Sequence, residues 1–310
     1  MKDVKASVNL IGGWYDIFLP WQLRDYRTLR DAGKQPSLTI GPWEHTSPEL
    51  NYFSIRESLT WFHTQLSEDR SPVREAPVRV FVTGANEWRD LSDWPPPGAI
   101  QQRWHLQPGK ALTPDLPPLS EPDRYRYDPA NPTPMLAGPQ LGGKSLPTDN
   151  RRLEERADVL TYTSAPLDQN LEVIGPVQAD LSVKSSLEHT DFFVRLCDVD
   201  TRGISINVCD ALLRVIPGRP ASLPDGTLRI CFDLWPTAHR FRAGHRLRLQ
   251  ISSGAHPRFA RNTGSGEPLA TAAKLLVADQ TIYHDPEHPS GIVLSVLPSG
   301  QMGEPRTPAV

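Results

Sequence analysis

Residues 6–16 read ASVNLIGGWYD, residues 18–33 FLPWQLRDYRTLRDAG, and residues 37–45 SLTIGPWEH. Residues 6–11 are apolar and β-branched enough for a buried strand, which Gly12 and Gly13 are expected to end. Asp16 then lies just past its carboxyl end. Pro20 suits the first turn of a helix whose buried side holds Trp21, Tyr26 and Leu29, and Gly33 closes it. Residues 37–40 form a second strand, broken by Gly41 and Pro42, with His45 just beyond it. A strand–helix–strand crossover is right-handed and parallel, so both strand ends share one edge of the sheet. Asp16 and His45 can therefore meet there. A carboxylate that orients an imidazole is the pairing that turns histidine into a general base.

Working outward, Ile55, Leu59, Phe62 and Leu66 form one apolar stripe at helical spacing, with Ser54 and Glu57 as the expected capping box. Residues 67–77, SEDRSPVREAP, are charged and interrupted by proline. The domain plan read here is an α/β remnant over 1–70, a linker over 71–77, a β domain over 78–298 and a tail over 299–310. Within the β domain, about ten short strands fall at 78–84, 100–107, 158–164, 171–186, 191–200, 205–216, 226–236, 245–254, 274–284 and 291–298, the pattern of a β-sandwich. Leu247, Leu249 and Ile251 alternate cleanly with Arg246 and Arg248. Residues 108–157 are rich in proline and read as a long loop, poor in strands.

Composition narrows the function classes. A 310-residue chain that is 38% hydrophobic and 22% charged has material for two cores. A net charge of −3 leaves no basic footprint for nucleic acid. No apolar run is long enough to span a bilayer, and the first ten residues lack a signal-peptide core. Cys197, Cys209 and Cys231 lack metal-type spacing and read as buried small hydrophobes, which favours a cytoplasmic setting. His239, His245, His256 and His288 show no metal-ligand spacing, so no metal or cofactor is expected. Trp88, Trp94 and Trp104 read as packing residues. Residues 138–145, GPQLGGKS, satisfy the Walker A pattern, yet a proline-rich loop precedes them and Leu146-Pro147 follows. Without a preceding strand and a following helix nothing cradles phosphate, so nucleotide binding is rejected.

GGWYD followed by GPWEH resembles the cocaine-esterase and X-Pro dipeptidyl-peptidase group of serine hydrolases. Further matches are WFHTQL (61–66), FVTGANEWRDLSDWPPP (81–97), YDPANPTP (127–134), DVLTYTSAPL (158–167), TDFFVRLCDVDTRG (190–203) and AGHRLRLQISS (243–253). The resemblance runs over most of residues 8–298. It implies the end of an α/β-hydrolase domain followed by a C-terminal β jelly roll. It assigns Asp16 as the triad acid, His45 as the general base and Phe18 as a residue lining the acyl pocket. It also implies that the loop around Gly138 to Gly143 reaches toward the active site.

One part of the pattern is missing. In such hydrolases the nucleophile precedes the acid on an elbow reading G-x-S-x-G. Only Ser7 precedes Asp16, in KASVN, and no G-x-S-x-G occurs in the 310 residues. Two readings follow. In the first, the chain carries two members of a Ser-His-Asp triad for ester, amide or peptide hydrolysis, and an upstream partner chain or a longer parent supplies the third. In the second, it is a non-catalytic jelly-roll module for binding or assembly. An exposed sheet edge in the remnant is expected to make the chain self-associate or seek a partner.

Overall fold

The computed structural model describes residues 3–67, 74–141 and 146–298. The chain opens with β1 (Asn9–Tyr15), α1 (Leu19–Asp31), β2 (Ser37–Glu44) and α2 (Pro48–Leu66), followed by β3 (Val78–Val82) and β4 (Glu87–Leu91). These four strands form one sheet in the order β1-β2-β3-β4, with β1–β2 and β2–β3 parallel and β3–β4 antiparallel. The crossover is as expected, but neither strand stops at its glycines. β1 runs through Gly12 and Gly13, and β2 through Gly41 and Pro42. Here the glycines admit close approach: a Cβ on Gly13 would lie 2.1 Å from the carbonyl oxygen of Trp43, and one on Gly41 2.4 Å from its ring. The pairing shifts between Gly13↔Gly41 and Tyr15↔Glu44, a bulge that accommodates Pro42.

Residue parity sorts the two faces of this sheet. Leu10, Trp14, Leu38, Ile40, Val78, Val80 and Val82 pack with Leu19, Leu23 and Tyr26 of α1. Ile11, Trp43, Phe81 and Trp88 pack with Leu50 and Phe53 of α2. The helices therefore cover opposite faces, as a parallel sheet requires. Trp21, expected on the buried side of α1, is exposed, because Leu19, Leu23, Tyr26 and Leu29 occupy that side. Gly33 does close α1. Its N–H donates to Arg30 O and that of Lys34 to Leu29 O, the paired bonds of a Schellman turn.

α2 begins at the Ser47 cap, not at Ser54. The Ser47 hydroxyl accepts the Leu50 N–H at 3.0 Å and Pro48 takes the first turn. Ser54 donates to Asn51 O within the helix. Glu57 instead accepts from Arg74 at 2.6 Å, whose guanidinium also reaches Ser37, Leu38 O and Thr39. The described part of the expected linker thus clamps α2 to β2. Residues 71–73 of that linker lie outside the described residues, as does the 299–310 tail.

The strand expected to open the second domain, β3, completes the first sheet instead, with Leu38↔Val78 and Ile40↔Val80 in register. From there follow β5 (Ile100–Gln107), β6 (Ala111–Thr113), β7 (Asp123–Tyr127), α3 (Arg151–Glu154), β8 (Leu160–Thr163), β9 (Leu171–Ser185), β10 (Thr190–Val199), β11 (Ser205–Val215), β12 (Leu228–Phe241), β13 (Arg246–Ser252), β14 (Ala278–Tyr283) and β15 (Gly291–Val296). These strands join in one sheet, ordered β11-β10-β13-β8-β6-β5-β15-β9-β14-β7, with β12 on β9. Leu196 and Ala211 at one end share a core with Val183 and Ile230 at the other, so the sheet folds over on itself. Leu247, Leu249 and Ile251 are fully buried in it. Residues 108–157 hold β6, β7 and α3, contrary to expectation. The alternation of Tyr125 and Tyr127 inward was masked by Arg124 and Arg126 between and beside them.

The two sheets share an interface. Ile174, Ala238 and Leu297 of the larger unit enter the core of the smaller. Thr83 donates its N–H to Ala238 O and accepts that of Arg240. Beside this bridge, Arg89 is buried against Glu172 through bonds of 2.9 and 3.0 Å and also pairs with Glu87. Arg240 bonds Glu172 at 2.6 Å and Glu87 at 2.9 Å. Two guanidinium and two carboxylate groups close a charge-balanced ring, the arrangement in which buried ions are tolerated.

Candidate active-site half

β1 ends in a turn in which the Asp16 N–H donates to Gly13 O and the Leu19 N–H to Asp16 O. The turn points the Asp16 side chain back over the end of β2. Its Oδ1 accepts the Phe18 N–H at 2.9 Å, and its Oδ2 lies 3.1 Å from His45 Nδ1. The crossover thus joins side chains that are 29 positions apart. The carboxylate is buried while the His45 side chain is 38% exposed. Phe18 meets the imidazole edge-on, with ring centroids 4.9 Å apart. The arrangement is therefore an anchored acid, a ring held from one side, and an apolar wall.

An aspartate on Nδ1 selects the tautomer with hydrogen on that nitrogen, leaving the Nε2 lone pair for a substrate or nucleophile. Among the described residues, Nε2 of His45 has no protein partner. No serine hydroxyl stands opposite it in the described bonding. The chemistry available is proton transfer by an oriented base.

A cleft of about 560 Å³ lies between the two sheets, lined in part by Trp14, Tyr15, Pro42, Phe81, Trp235 and His239. Asp16, Phe18 and His45 do not line it. Gly138 and Pro139 line it together with Tyr15 and Pro42, and residues 142 and 143 of that loop lie outside the described residues. At its wall Asp198 pairs with His239 Nε2 at 3.0 Å and His245 Nδ1 at 2.8 Å, tying together β10, β12 and the turn before β13. Residues 142–145 of the Walker-like motif lie outside the described residues. Among the described residues no group of three or more His, Cys, Asp or Glu side chains has metal-holding geometry. Among the described residues no helix is long and apolar enough to cross a membrane.

One array was not legible in the sequence. Ser120 Oγ lies 2.9 Å from His284 Nδ1, and His284 Nε2 lies 3.1 Å from Asp123. The partners are brought together from a loop, β7 and the end of β14. Asp123 is also held by Lys110 at 2.7 Å and the Tyr162 hydroxyl at 2.7 Å. Burial works against its ionised form, but the bonds from His284, Lys110 and Tyr162 outweigh that and hold it far below the usual carboxylate range. The fully bonded, buried imidazole makes this a structural knot. Of the three thiols expected to be buried, two are and one is not. Cys197 and Cys209 are buried, and burial pushes the Cys197 thiol up to about 12. Cys231 is exposed, because on β12 it shares parity with Arg229 and Asp233 while Ile230 and Leu234 turn inward.

Residues 72–293 match the family model for the X-Pro dipeptidyl-peptidase C-terminal non-catalytic domain. The chain is 32% identical over 321 residues to the cocaine esterase of Rhodococcus sp. (strain MB1 Bresler), covering 93% of this chain and 56% of that protein. Its fold is similar to an aminopeptidase from a marine-sediment Thaumarchaeota archaeon, with a TM-score of 0.84 at 23% identity, over 95% of this chain and 56% of the other. It is also similar to an α-amino acid ester hydrolase, with a TM-score of 0.80 at 25% identity, over 92% and 54% respectively. The chain spans about half the length of the curated relatives it matches.

Proposed function

We infer that this chain, which belongs to the X-Pro dipeptidyl-peptidase C-terminal domain family, supplies the acid and base of a serine hydrolase. It corresponds to the C-terminal part of hydrolases of the cocaine-esterase type. The observation that carries the catalytic reading is the Asp16–His45 pair at 3.1 Å, at the shared edge of β1 and β2. The stretch matched as non-catalytic begins at residue 72, after both members of the pair. This supports reading the Asp16–His45 end of the small sheet as the catalytic part, and the larger unit, which we read as a jelly roll, supports it through the Arg89–Glu172 ring.

In the proposed reaction, a serine from an N-terminal α/β portion attacks the carbonyl of an ester, amide or peptide. His45 Nε2 takes the hydroxyl proton and returns it to the leaving alkoxide or amine. Asp16 keeps the Nδ1–H tautomer and stabilises the imidazolium formed on the way. Phe18 presents an apolar edge to the acyl group. The oxyanion donors come from the same N-terminal portion as the serine. This reaction draws on no cofactor.

A chimera tests this reading. The C-terminal part of the Rhodococcus cocaine esterase is replaced by this chain and assayed on p-nitrophenyl acyl esters. Hydrolysis that disappears in His45→Ala is expected. A folded chimera whose hydrolysis is indifferent to His45→Ala would overturn the assignment.

A further inference from the structure

The cleft between the two sheets has no part in the reaction proposed above, because Asp16, Phe18 and His45 do not line it. At about 560 Å³ it has the size of a small-molecule site. Much of its wall is aromatic, from Trp14, Phe81 and Trp235. The Trp14 indole N–H is already given to Phe81 O at 2.7 Å, so that ring offers a flat apolar body and no donor. Pro42, Pro139 and Pro236 add surface without a backbone N–H. Three carboxylates also line the cleft, and each is engaged on both oxygens. Asp198 meets His239 and His245. Asp200 accepts the N–H groups of Arg202 and Ile204 at 2.9 and 2.8 Å and the Arg202 guanidinium at 3.1 Å. Asp210 accepts Arg195 at 2.9 and 3.1 Å on one oxygen and Arg258 at 2.5 Å on the other.

The positive groups are not used up in the same way. The Arg195 and Arg258 side chains, 0% and 6% exposed, share the single carboxylate of Asp210. Among the described residues no second carboxylate meets either, and Arg258 Nη2 is buried without a partner. Burial works against ionised Asp210, but the two guanidinium groups outweigh it and hold its carboxyl below the usual range. Arg242, which lines the cleft, gives Nε and Nη2 to Gly84 O at 2.9 and 2.6 Å, and its Nη1 is left over. Four guanidinium groups thus stand against three carboxylates in and behind this wall, an excess that a partly buried site screens poorly. Neutral donors are unspent as well. The Thr148 N–H at 2.8 Å fixes Asn207 Oδ1 as the acceptor, so Asn207 Nδ2 keeps its hydrogens for the cleft. Burial pushes the Tyr15 hydroxyl up from the ordinary phenol value, which keeps it a donor.

We propose that this cleft binds a small aromatic carboxylate, its ring against Trp14, Phe81 and Trp235 and its carboxylate drawn to Arg242 and the unspent donors. An aromatic cation fits less well, because every carboxylate of the wall is already engaged and the site carries positive charge in excess. An uncharged aromatic molecule would make the same apolar contacts but leave Arg242 Nη1 without an anionic partner. The proposal is independent of the catalytic reading, since none of these residues belongs to the Asp16–His45 pair.

The test titrates the full chain by calorimetry with 2-naphthoate, the uncharged 2-naphthamide and the cationic 2-naphthylmethylammonium. The carboxylate is expected to bind one to one, at least tenfold more tightly than either of the others. Arg242→Gln should weaken its binding at least tenfold, and Arg242→Lys should weaken it less, since the charge is kept. Arg242 is exposed, so both variants should keep the wild-type thermal transition. Arg126→Gln, at an exposed guanidinium that does not line the cleft, should leave the affinity unchanged. In nitrogen-15 spectra the Trp235 indole resonance should shift during the titration while that of Trp104, which does not line the cleft, stays in place. No binding at millimolar concentration, equal affinity for the carboxylate and the amide, or binding indifferent to Arg242→Gln would each overturn the proposal.

Discussion

At the scale of single residues, the catalytic role proposed for the Asp16–His45 pair sets what the isolated chain is expected to do. Without a G-x-S-x-G serine and the oxyanion donors proposed to accompany it, the isolated chain is expected to show no enzymatic turnover of p-nitrophenyl acyl esters. Removing a triad serine costs on the order of 10⁶ in turnover, before the missing donors are counted. A turnover of about 1 s⁻¹, ordinary for an enzyme, that vanished in His45→Ala would contradict this. In the chimera, Asp16→Asn should lower kcat by about 10⁴ with little change in KM, because the amide favours the wrong imidazole tautomer. Asp123 bears on stability. Its folded pKa is depressed, so its contribution is fully present above the unfolded carboxylate value of about 3.9 and is lost as pH falls below it. Acid unfolding midpoints should therefore show a smaller pH slope below about 4 in Asp123→Asn than in the wild type.

At the scale of elements, the ends of α2 and the path of β1 were the points most open to misreading. Ser47-Pro48 carries a hydroxyl cap and a pre-set first turn, and Ser47→Ala should cost about 1 kcal/mol in denaturant unfolding. A null effect there, with loss in Ser54→Ala instead, would contradict the assigned start. Gly13 tests the close passage of β1 and β2. A methyl group at that position meets backbone rather than a movable side chain, so Gly13→Ala should destabilise the chain by about 1–3 kcal/mol through overpacking. The periodicity of α2 does mark one stripe, exposed at Ile55, Leu59, Phe62 and Leu66, yet periodicity does not say which side of a helix meets its own sheet. Glu57 turns inward because Arg74 and Thr39 offer it bonds there.

At the scale of the whole molecule, the small sheet is held by its contact with the larger one as well as by its own helices. Glu172→Gln should be costly, by about 3–5 kcal/mol, since it leaves Arg89 and Arg240 sharing the single carboxylate of Glu87 and one buried positive charge in excess. The thermal transition of that variant reports the loss directly. Hydrogen exchange should grade the molecule from one side to the other. Residues 6–11 and 37–41, next to the open edge, should exchange faster than residues 245–251, whose strand is paired on both sides in the large sheet. Uniform protection in a monomer would show that the β1 edge is not the weak side.

Much of this could be read from residue order alone, because strand–helix–strand handedness and side-chain parity are local rules. The crossover, the meeting of Asp16 with His45, the helix closure at Gly33 and the inward set of Leu247, Leu249 and Ile251 all follow from them. The absence of G-x-S-x-G was equally plain in the sequence. What only the tertiary structure decided depends on partners distant in the chain. That β3 joins β2, that Glu172 closes a ring with Arg89 and Arg240, and that His284 links Ser120 to Asp123 are such cases. No local period encodes which charge will find which across the interface of two sheets. The outward turn of the α2 stripe belongs here too, since a helix buries whichever face its neighbours can satisfy.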